Sequence, residues 1–440
     1  MQLENQTIIN MNEETKTNMT GESKKENIST AMSETEEQDK NLENESEWGQ
    51  EATEEEFDFG SVSSDSGDGE KEEDHVFLAS RLKAYLAFAD VVTRSGSTGL
   101  EEDIRIQCDG SKDVTFTVLS KTKAYCFTVP VLDKSVPFVI DGTLAYKTFS
   151  AAVRSAGSSV SLTKPEEVSE GGKILNMKVL RGKIPMDLRD VPEPFEGITW
   201  SDGSGESLKS DFIQEVFPRV SGSLNLSNSD NDKISEIKNG NALAVLGSFL
   251  ACIRGFPENF SGSLSEDIVS SIYKLSSLED SLKVAFNDGV VNVSGDTFNV
   301  ALEAVNVPDL SYVLEIMQGH RDNASSSDRI GIKTVMKVLG LMKSVCSGKD
   351  MVRMSNRDGM LRVRSRIFGS ASEMAFDICE LRSSKKFDIK IELKNLYDGF
   401  NIFSGEEVVM LLVPSESEVL LESVNSSILI AAHPELSDDE

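Results

Sequence analysis

The strongest constraint on the fold of this 440-residue chain is an internal repeat, in which the order helix, strands, helix, strands occurs three times. The three units are residues 76–197, 198–324 and 325–440, and each begins with an amphipathic helix followed by short alternating strands. The segments DVPEPF (190–195) and NVPDL (306–310) close the first two units at matching places. Repeats of this length are repeats of whole domains. The sequence therefore predicts an α+β protein of three similar domains, each with two helices and antiparallel sheets.

The helices are predicted from apolar residues spaced three and four positions apart. In the first helix Leu82, Leu86 and Ala89 keep this spacing, and Gly96 offers a stop. Strands are predicted between the helices and after them; residues 173–185, for example, are predicted to form one strand. The six predicted helices are residues 77–96, 144–157, 207–220, 266–278, 330–348 and 394–405.

Residues 1–75 differ from the repeats because acidic side chains dominate them. The whole chain has a formal net charge of -30, and this stretch carries a disproportionate share of it while being poor in aliphatic residues. Such a segment cannot bury enough apolar surface to fold, so we predict a disordered acidic extension. Trp48, Phe57 and Phe59 interrupt its polar tract, which fits either a short docking motif or a solubilising tail with incidental aromatic residues.

Several classes of protein are disfavoured because their patterns are absent. The sequence has no apolar run long enough for a membrane helix and no secretory signal, so we expect a cytoplasmic protein without a membrane partner. No motif of a nucleotide-binding, hydrolase or metalloprotease site occurs, and we expect no enzymatic activity, no cofactor and no metal site. The cysteines are scattered without a CxxC pair, so we expect reduced thiols at Cys108, Cys126, Cys252, Cys346 and Cys379.

The last unit carries most of the residues that suggest a family. Residues 387–436, from FDIKIEL to SSILIAAHPEL, resemble the closing pattern of the bacterial and phage β sliding clamp, the processivity subunit of replicative DNA polymerase. NALAVLGSFLA (241–251) resembles the strand pair in the middle domain of that family, and VNVPDL (305–310) resembles the end of that domain. The order of elements over residues 76–440 also matches a three-domain clamp protomer.

The chain departs from the family pattern at several positions. The strand pair keeps Gly247 and Leu250 but lacks the polar residues that the family has there, and Ser248 stands in place of a histidine. The C-terminus keeps Pro434 and Leu436 but has a glutamate between them. Departures of this kind favour a phage, plasmid or other accessory clamp over a chromosomal one.

The resemblance implies a non-enzymatic protein that works by topology. Two protomers close head to tail into a ring, duplex DNA passes through it, and replicative DNA polymerase and a clamp loader bind to it. Because duplex DNA is a rod of phosphate charge, helices that line the bore should carry cations that contact it without regard to sequence. The alternative is that these cations form the solvated face of surface helices. The implied DNA-binding residues are Arg81, Lys83, Arg94, Lys147, Arg154, Lys209, Arg219, Lys274, Lys333, Lys337, Lys343 and Lys394.

The resemblance also implies a hydrophobic pocket between the middle and last domains that receives short peptides of client proteins. The C-terminal strand forms part of this pocket in the family, although a buried terminal strand explains the same apolar pattern. The implied lining residues are Gly247, Ser248, Leu250, His433, Pro434 and Leu436.

Two features keep other interpretations open. Arg362, Arg364 and Arg366 alternate along one strand, which fits a partner site, a subunit interface or a solvated sheet face. A phage structural or surface protein, built from repeated β-rich domains with an acidic spacer, also explains the charge and the absence of catalytic motifs. Such a protein does not need basic helices in each domain or a clamp-like C-terminal strand, and these two features favour the clamp.

Overall fold

The structure is a computed structural model that describes the chain between residues 74 and 431 with short gaps. The acidic extension with Trp48, Phe57 and Phe59 therefore lies outside the described residues, apart from its last two positions, and so do Arg94, His433, Pro434 and Leu436. The described ranges are 74–93, 102–132, 138–168, 171–196, 198, 200, 204–226, 233–287, 289–305, 308–324, 327–347, 350–366, 373–382 and 385–431.

Each unit contains two copies of the order strand, helix, strand, strand, strand, and the second copy in the first unit has the two-residue β7 as an additional strand. The first unit comprises β1 (Asp74–Leu78), α1 (Ala79–Thr93), β2 (Asp103–Asp109), β3 (Asp113–Leu119), β4 (Lys123–Pro130), β5 (Val139–Ala145), α2 (Tyr146–Ser155), β6 (Ser159–Thr163), β7 (Glu166–Glu167), β8 (Lys173–Val179), β9 (Gly182–Leu188) and the short α3 (Glu193–Glu196). The second comprises β10 (Glu206–Lys209), α4 (Ser210–Leu224), β11 (Ile234–Lys238), β12 (Asn241–Leu246), β13 (Phe249–Arg254), β14 (Gly262–Ser265), α5 (Glu266–Leu275), β15 (Ser281–Asn287), β16 (Val290–Ser294), β17 (Phe298–Glu303) and α6 (Tyr312–Asn323). The third comprises β18 (Ser327–Gly331), α7 (Ile332–Val345), β19 (Met351–Arg357), β20 (Met360–Arg366), β21 (Glu373–Glu380), β22 (Asp388–Glu392), α8 (Leu393–Asn401), β23 (Val408–Ser415), β24 (Glu418–Glu422) and β25 (Ser426–Ala431).

Within the described ranges the strands form four antiparallel sheets, and two of these sheets run across the unit boundaries. One has the order β10-β15-β16-β17-β4-β3-β2-β5, with Phe298 of β17 opposite Phe127 of β4. The other has the order β14-β11-β12-β13-β25-β24-β23-β18, with Phe249 of β13 opposite Ile430 of β25. Two end sheets belong to the first and third units alone: β1-β6-β8 with β7 and β9, and β21-β20-β19-β22.

Alternation along the strands explains why the sheets bury an apolar face. On β4 the side chains of Tyr125, Phe127 and Val129 are fully buried, while the residues between them are half-buried. Phe116 of β3 stacks on Phe127 with ring centroids 5.2 Å apart, and Phe149 of α2 packs on Phe116 at 5.5 Å. Buried residues of α1, α2, α4, α5, α7 and α8 join the same continuous core. These six helices, called the helix layer below, therefore pack on one side of the sheets.

The predicted α+β architecture and the six predicted helices are confirmed, with shifted ends. The first helix begins at Ala79, because Phe77 and Leu78 complete β1. The prediction of one strand over residues 173–185 is wrong: this segment contains the hairpin of β8 and β9, whose turn holds Leu180 at a φ of 53°. The repeat does not predict α6. Among the described residues, the other helix outside the helix layer is the four-residue α3, so α6 has no counterpart of its own length there.

The described residues also give information on membrane spans, metal sites and cysteines. No helix among them is long and apolar enough to cross a membrane. No group of three or more His, Cys, Asp or Glu side chains among them is arranged to hold a metal ion. Cys108, Cys252 and Cys346 are buried thiols, while Cys126 and Cys379 are half-buried, and all five are free.

Candidate functional sites

The helices of the helix layer pack side by side within each unit and across the boundary between the second and third units. α1 contacts α2, α4 contacts α5, α7 contacts α8, and α4 also contacts α8 across the boundary between the second and third units. In α7 the residues Ile332, Val335, Leu339 and Met342 are buried at three- and four-residue intervals. This spacing fixes which face of α7 packs on the sheet and which face is left to solvent.

The exposed face of α7 is basic. Lys333 and Lys337 lie one turn apart on it, and the sequence has no acidic residue between Ile330 and Cys346. Like charges at this spacing repel each other and slightly destabilise the helix. Their presence here is therefore better explained by binding to an anionic partner. Seven predicted DNA-binding residues are exposed and make no ion pair or side-chain hydrogen bond within the described part of the chain: Arg81, Lys147, Lys209, Lys274, Lys333, Lys337 and Lys394.

Two other predicted lysines have internal partners. Lys83 of α1 donates from Nζ to the carbonyl oxygen of Ala156 at 2.8 Å, immediately after the end of α2. Lys343 of α7 lies over the ring of Tyr397 of α8, 4.4 Å from the centroid. Both lysines hold a helix pair together, since each contacts the neighbouring helix or its end.

Two predicted arginines are neutralised by carboxylates. Arg154 of α2 forms an ion pair with Asp90 of α1. Arg219 of α4 lies 3.6 Å from Glu215 and 3.4 Å from Glu406, and its side chain is only 13% exposed. Arg219 therefore ties α4 to the third unit, and its charge is largely neutralised inside the protein.

The basic character of the helix layer is uneven. α4 carries Asp211 and Glu215 with one arginine, and α5 carries Glu266 and Asp267 with one lysine, so the two helices of the second unit are the least basic of the six. On α8, burial raises the pKa of Asp398 above its ordinary value, although the nearby cations Lys343 and Lys394 act in the opposite direction. The exposed cations that have no described partner are concentrated on α1, α2, α5, α7 and α8.

The predicted pocket residues that the structure describes lie together at the boundary of the second and third units. Gly247 and Ser248 form the turn between β12 and β13, where Gly247 has a φ of 60°, a conformation that favours glycine. The carbonyl oxygen of Ser248 accepts a hydrogen bond from the backbone N–H of Ala431 at 2.9 Å. Leu250 lies opposite Leu429 in the sheet. The turn is thus held against the end of β25.

A second layer of apolar residues lies on the opposite face of this sheet from the helix layer. Along β12 and β13, Ala244 and Ala251 face the main core, whereas Leu243 and Cys252 face the other way. We call the second set the outer-face cluster; α6 covers it with the side chains of its first two turns. Its buried members are Leu243, Cys252, Leu310, Val313, Met317, Leu420 and Leu429, with Val245, Leu250, Leu314 and Leu412 half-buried around them.

Sequence reasoning missed this cover, although one signal for it exists. NALAVLGSFLACI and SSILIA are nearly continuous apolar runs rather than alternating ones. Such runs indicate strands that are buried on both faces. β12, β13, β24 and β25 have apolar residues on both faces because a helix packs on each.

The last turn of α6 is tied to the sheet by a carboxylate that several groups share. Glu422 of β24 accepts hydrogen bonds from Arg321 of α6 at 2.7 Å, from Arg254 of β13 at 3.1 Å and from Ser427 of β25 at 2.8 Å. Burial alone would raise the pKa of Glu422, but the hydrogen bonds from Arg321 and Ser427 and the two arginine charges bring it below its ordinary value. Glu422 is therefore an ionised anchor for α6. His320 lies beside it, with Nδ1 3.6 Å from a carboxylate oxygen of Glu418.

The arginines of β20 have partners on the neighbouring strand. Arg362 pairs with Asp377 of β21 through two hydrogen bonds of 2.5 and 2.7 Å. Arg364 lies 3.7 Å from Glu373, also on β21. These two arginines therefore balance the acidic edge strand of the end sheet. The side chain of Arg366 lies outside the described residues.

Comparisons with known proteins show similarity in structure and not in sequence. No protein-family model matches the chain, and no curated protein sequence matches it. Solved structures do match over about four fifths of the chain. A sliding clamp, DNA polymerase III subunit beta, from Pseudomonas aeruginosa bound to griselimycin has 12% identity and a TM-score of 0.67, with 82% of this chain and 99% of that chain covered.

Two further clamps give the same result. The DNA polymerase sliding clamp from Bacillus subtilis has 13% identity and a TM-score of 0.66, over 82% of this chain and 98% of that one. The Helicobacter pylori beta clamp bound to a DNA ligase peptide has 12% identity and a TM-score of 0.63, over 81% and 99%. The predicted resemblance to sliding clamps is confirmed at the level of the fold.

Proposed function

We propose that this chain is a DNA sliding clamp, a non-enzymatic processivity factor that encircles duplex DNA and tethers replication proteins to it. The observation that carries the proposal is the sheet architecture. Each unit consists of two half-units, units are joined by pairing of the last strands of half-units, and within the described ranges two such strands, β9 in the first unit and β21 in the third, have an open edge. The clamp fold supports it. The low identity to the bacterial clamps agrees with an accessory clamp of phage or plasmid type, acting in the cytoplasm of a bacterium or an infected host.

The strand pairing at the unit boundaries supports closure into a ring. β4 pairs with β17, and β13 pairs with β25; each pair joins the last strand of a first half-unit to the last strand of a second half-unit. β21 ends the first half of the third unit, so by the same rule it pairs with the last strand of a second half-unit. The remaining strand of that kind is β9, which lies in the first unit at the other end of the chain. We therefore place the β9 of a neighbouring copy against β21. A second protomer added head to tail supplies both missing pairs and removes both open edges.

The chemistry of the two edges supports the same pairing. Ile184 on β9 and Phe376 on β21 are only half-buried, because the apolar core ends at these strands. The exposed charges have opposite net signs: β9 and its turn carry Arg181, Lys183 and Asp187, whereas β21 carries Glu373, Asp377 and Glu380. Within the chain Asp377 and Glu373 pair with Arg362 and Arg364 of β20, and Glu380 has no described ion pair. Pairing the two edges buries the aromatic and aliphatic side chains and brings opposite charges together.

The exposed cations of the helix layer support contact with duplex DNA. A protein with a net charge of -30 repels DNA at long range, so a basic surface on it has to be local and shielded. Lys333 and Lys337 on α7, with Arg81 on α1 and Lys147 on α2, form such a surface in the first and third units. Contacts from flexible lysines to phosphate carry no sequence information, which suits a protein that slides.

The pocket at the turn of Gly247 and Ser248 is our candidate docking site for polymerase and loader peptides. A clamp of this fold from Helicobacter pylori is bound to a DNA ligase peptide. Leu250, at the rim of the outer-face cluster, offers the apolar contact that such a peptide needs.

Order-of-addition trapping on linear DNA tests the proposal without a loader. The full chain is incubated with a linear duplex that is biotinylated at both ends, and streptavidin is added either after or before the protein. A ring threads over free ends, so we expect protein to survive a high-salt wash only when streptavidin is added last. Equal retention for both orders would contradict encirclement.

A further inference from the structure

The helices of the helix layer divide their charge unevenly between the three units. Within their bounds, α1 and α2 together carry four basic side chains and one acidic side chain, and α7 and α8 carry the same numbers. α4 and α5 carry two basic and four acidic side chains, and acids still prevail when Lys209, immediately before α4, is added. The helices of the second unit therefore have the opposite net sign to those of the first and third units.

The change of sign falls on equivalent positions of α4 and α7. The two helices align from their first residues, because both bury their fourth, eighth and eleventh residues. In this alignment Lys333 and Lys337 of α7 take the places of Asp211 and Glu215 of α4, and all four side chains are exposed. Like positions on two similar units therefore carry opposite charges.

The second helix of each unit shows the same change. α2, α5 and α8 all bury their fourth and seventh residues, which aligns them from their first residues. The second residue is Lys147 in α2, Asp267 in α5 and Lys394 in α8. Asp267 is paired with Lys123, so the second unit offers no cation to a ligand at this position.

The two lysines of α7 lie on a ridge that continues into exposed apolar residues. Lys333, Lys337, Leu341 and Val345 follow one another at four-residue intervals, and residues at this spacing form one ridge along a helix. The side chains of Leu341 and Val345 are 52% and 48% exposed. α7 also contacts β21, the strand with the open edge. The exposed end of the ridge therefore belongs to the part of the third unit where its sheet ends.

The equivalent ridge positions of the other two units are covered. In α4 they are Arg219, which lies 3.4 Å from Glu406 of the third unit, and Ser223, which is buried. In α1 they are Phe88 and Val92, and both are buried. Among the described residues α7 is thus the helix on which these positions are left open, as expected for a helix that meets a second protomer.

The strand pairing at the unit boundaries predicts which helix α7 meets. At the boundary of the second and third units β13 pairs with β25, and α4 of a first half-unit contacts α8 of a second half-unit. In the proposed ring β21 and the partner's β9 stand in the same relation. α7 of one protomer then lies beside α2 of its partner, so that Lys333 and Lys337 come close to Lys147 of the partner subunit.

We propose that duplex DNA is held at two basic arcs of the ring, and that it thereby tightens the contact between the protomers. Each basic arc consists of α7 and α8 of one protomer with α1 and α2 of its partner, whereas α4 and α5 face the duplex without binding it. This inference rests on the proposed function. Without DNA the cations on the two sides of the contact repel each other and oppose closure. Phosphates that span the contact neutralise both sides, and by linkage the duplex strengthens the dimer as much as dimerisation strengthens its binding.

The dissociation constant of the dimer tests the proposal. Sedimentation velocity of the full chain over a dilution series measures it with and without a blunt duplex about two helical turns long. We expect the duplex to tighten the native dimer by about tenfold or more. Lys333→Gln/Lys337→Gln should have opposite effects in the two conditions: a tighter dimer than the native chain without DNA, and a weaker one with it. A change of the same sign in both conditions, or no change, would overturn the proposal.

Asp211→Asn/Glu215→Gln is the matched control, because it neutralises the same helix positions in the second unit, away from the protomer contact. We expect this variant to dimerise like the native chain without DNA. The factor by which the duplex tightens its dimer should stay within about twofold of the native value. Equal loss of tightening in the two double variants would overturn the proposal, since the effect would then not be located at the contact.

The outcomes separate this inference from the proposed function. Retention on end-blocked DNA, together with a dimer that the duplex does not tighten, would leave the clamp in place and overturn the basic arcs. Failure of the threading assay, together with the opposite effects of Lys333→Gln/Lys337→Gln, would remove the ring and support a duplex that bridges two protomers.

Discussion

Lys123 and Asp267 join the first and second units through an ion pair in which the lysine Nζ lies 2.6 Å from a carboxylate oxygen. The Lys123 side chain on β4 is 3% exposed, whereas Asp267, in the first turn of α5, is 60% exposed. The boundary between the second and third units has its own ion pair, from Arg254 to Glu422 at 3.1 Å. Each sheet that crosses a unit boundary is thus accompanied by an ion pair across it.

Replacing the carboxylate of this pair should weaken the first boundary. Asp267→Asn leaves a buried ammonium group without an anion, and we expect the free energy of unfolding to fall by about 2 kcal/mol. Urea denaturation of the full chain measures the decrease. The control Glu258→Gln removes an exposed carboxylate that has no described partner, and should change stability by less than about 0.5 kcal/mol. Equal stability of the two variants would contradict the role of the pair.

The basic face of α7 should contribute directly to DNA affinity. We expect Lys333→Glu/Lys337→Glu to weaken binding of a short duplex and to lower the slope of log affinity against log salt by roughly 0.9 for each phosphate that the variant no longer neutralises. Fluorescence anisotropy over a salt series measures both quantities. The control Lys121→Glu/Lys283→Glu changes the net charge equally, but Lys121 lies in the β3–β4 turn and Lys283 on the outer face of β15. If both double variants weaken binding equally, the effect is one of net charge alone.

We expect charge to determine that β9 of one protomer pairs with β21 of its partner. We expect a variant with Glu373→Lys/Glu380→Lys on β21, and another with Arg181→Glu/Lys183→Glu at β9, each to sediment as a monomer because like charges meet at both contacts of a head-to-tail pair. An equimolar mixture restores one contact with exchanged charges and one with native charges. Sedimentation of the mixture as a dimer supports the pairing of β9 with β21, and persistence of monomers in the mixture excludes it.

The contribution of Glu422, which holds the last turn of α6, to the free energy of unfolding should decrease at low pH. Because the pKa of Glu422 is lowered in the folded protein, the folded state holds fewer protons than the unfolded state. Its contribution is therefore fully present above the ordinary glutamate pKa, near pH 4.5, and is lost as the pH falls through the lower folded value. We expect the native chain to exceed Glu422→Gln in stability by about 2 kcal/mol at neutral pH. Urea denaturation over a pH series that falls below the ordinary glutamate pKa should show the difference between the two shrinking; a constant difference across the series would show that Glu422 is not the titrating anchor.

Much of the fold can be predicted from the sequence, because the residues that the apolar spacing marks as buried are buried in the structure. The apolar spacing of α7 and the absence of acids around Lys333 and Lys337 predict both a helix and its basic exposed face, and the structure has both. The pair of β12 and β13 is predicted from the resemblance of NALAVLGSFLA to the strand pair of the clamp family, and the structure has this pair with Gly247 at its turn.

What the sequence does not predict depends on contacts between distant residues. Arg219 looks like an exposed cation on α4, and only the packing of the third unit brings Glu406 within 3.4 Å of it. The apolar residues of α6 do not mark one face, because Tyr312 and Ile316 are exposed while Val313 and Met317 are buried, so their spacing does not predict which side of the helix packs on the sheet. Its partner surface is assembled from β12, β13, β24 and β25, which are far apart in the chain. The position of α6 therefore depends on burial against distant strands, and the spacing of its own apolar residues does not predict it.

Ring closure is the central claim, and electron microscopy of the purified full chain with two-dimensional class averaging tests it most directly. We expect closed rings of two protomers with a sixfold-like outline, because each protomer contributes three similar units, and a central hole that is wide enough for a DNA duplex. Single protomers or open strings of units without a hole, at concentrations where the native chain sediments as one species, would contradict the account.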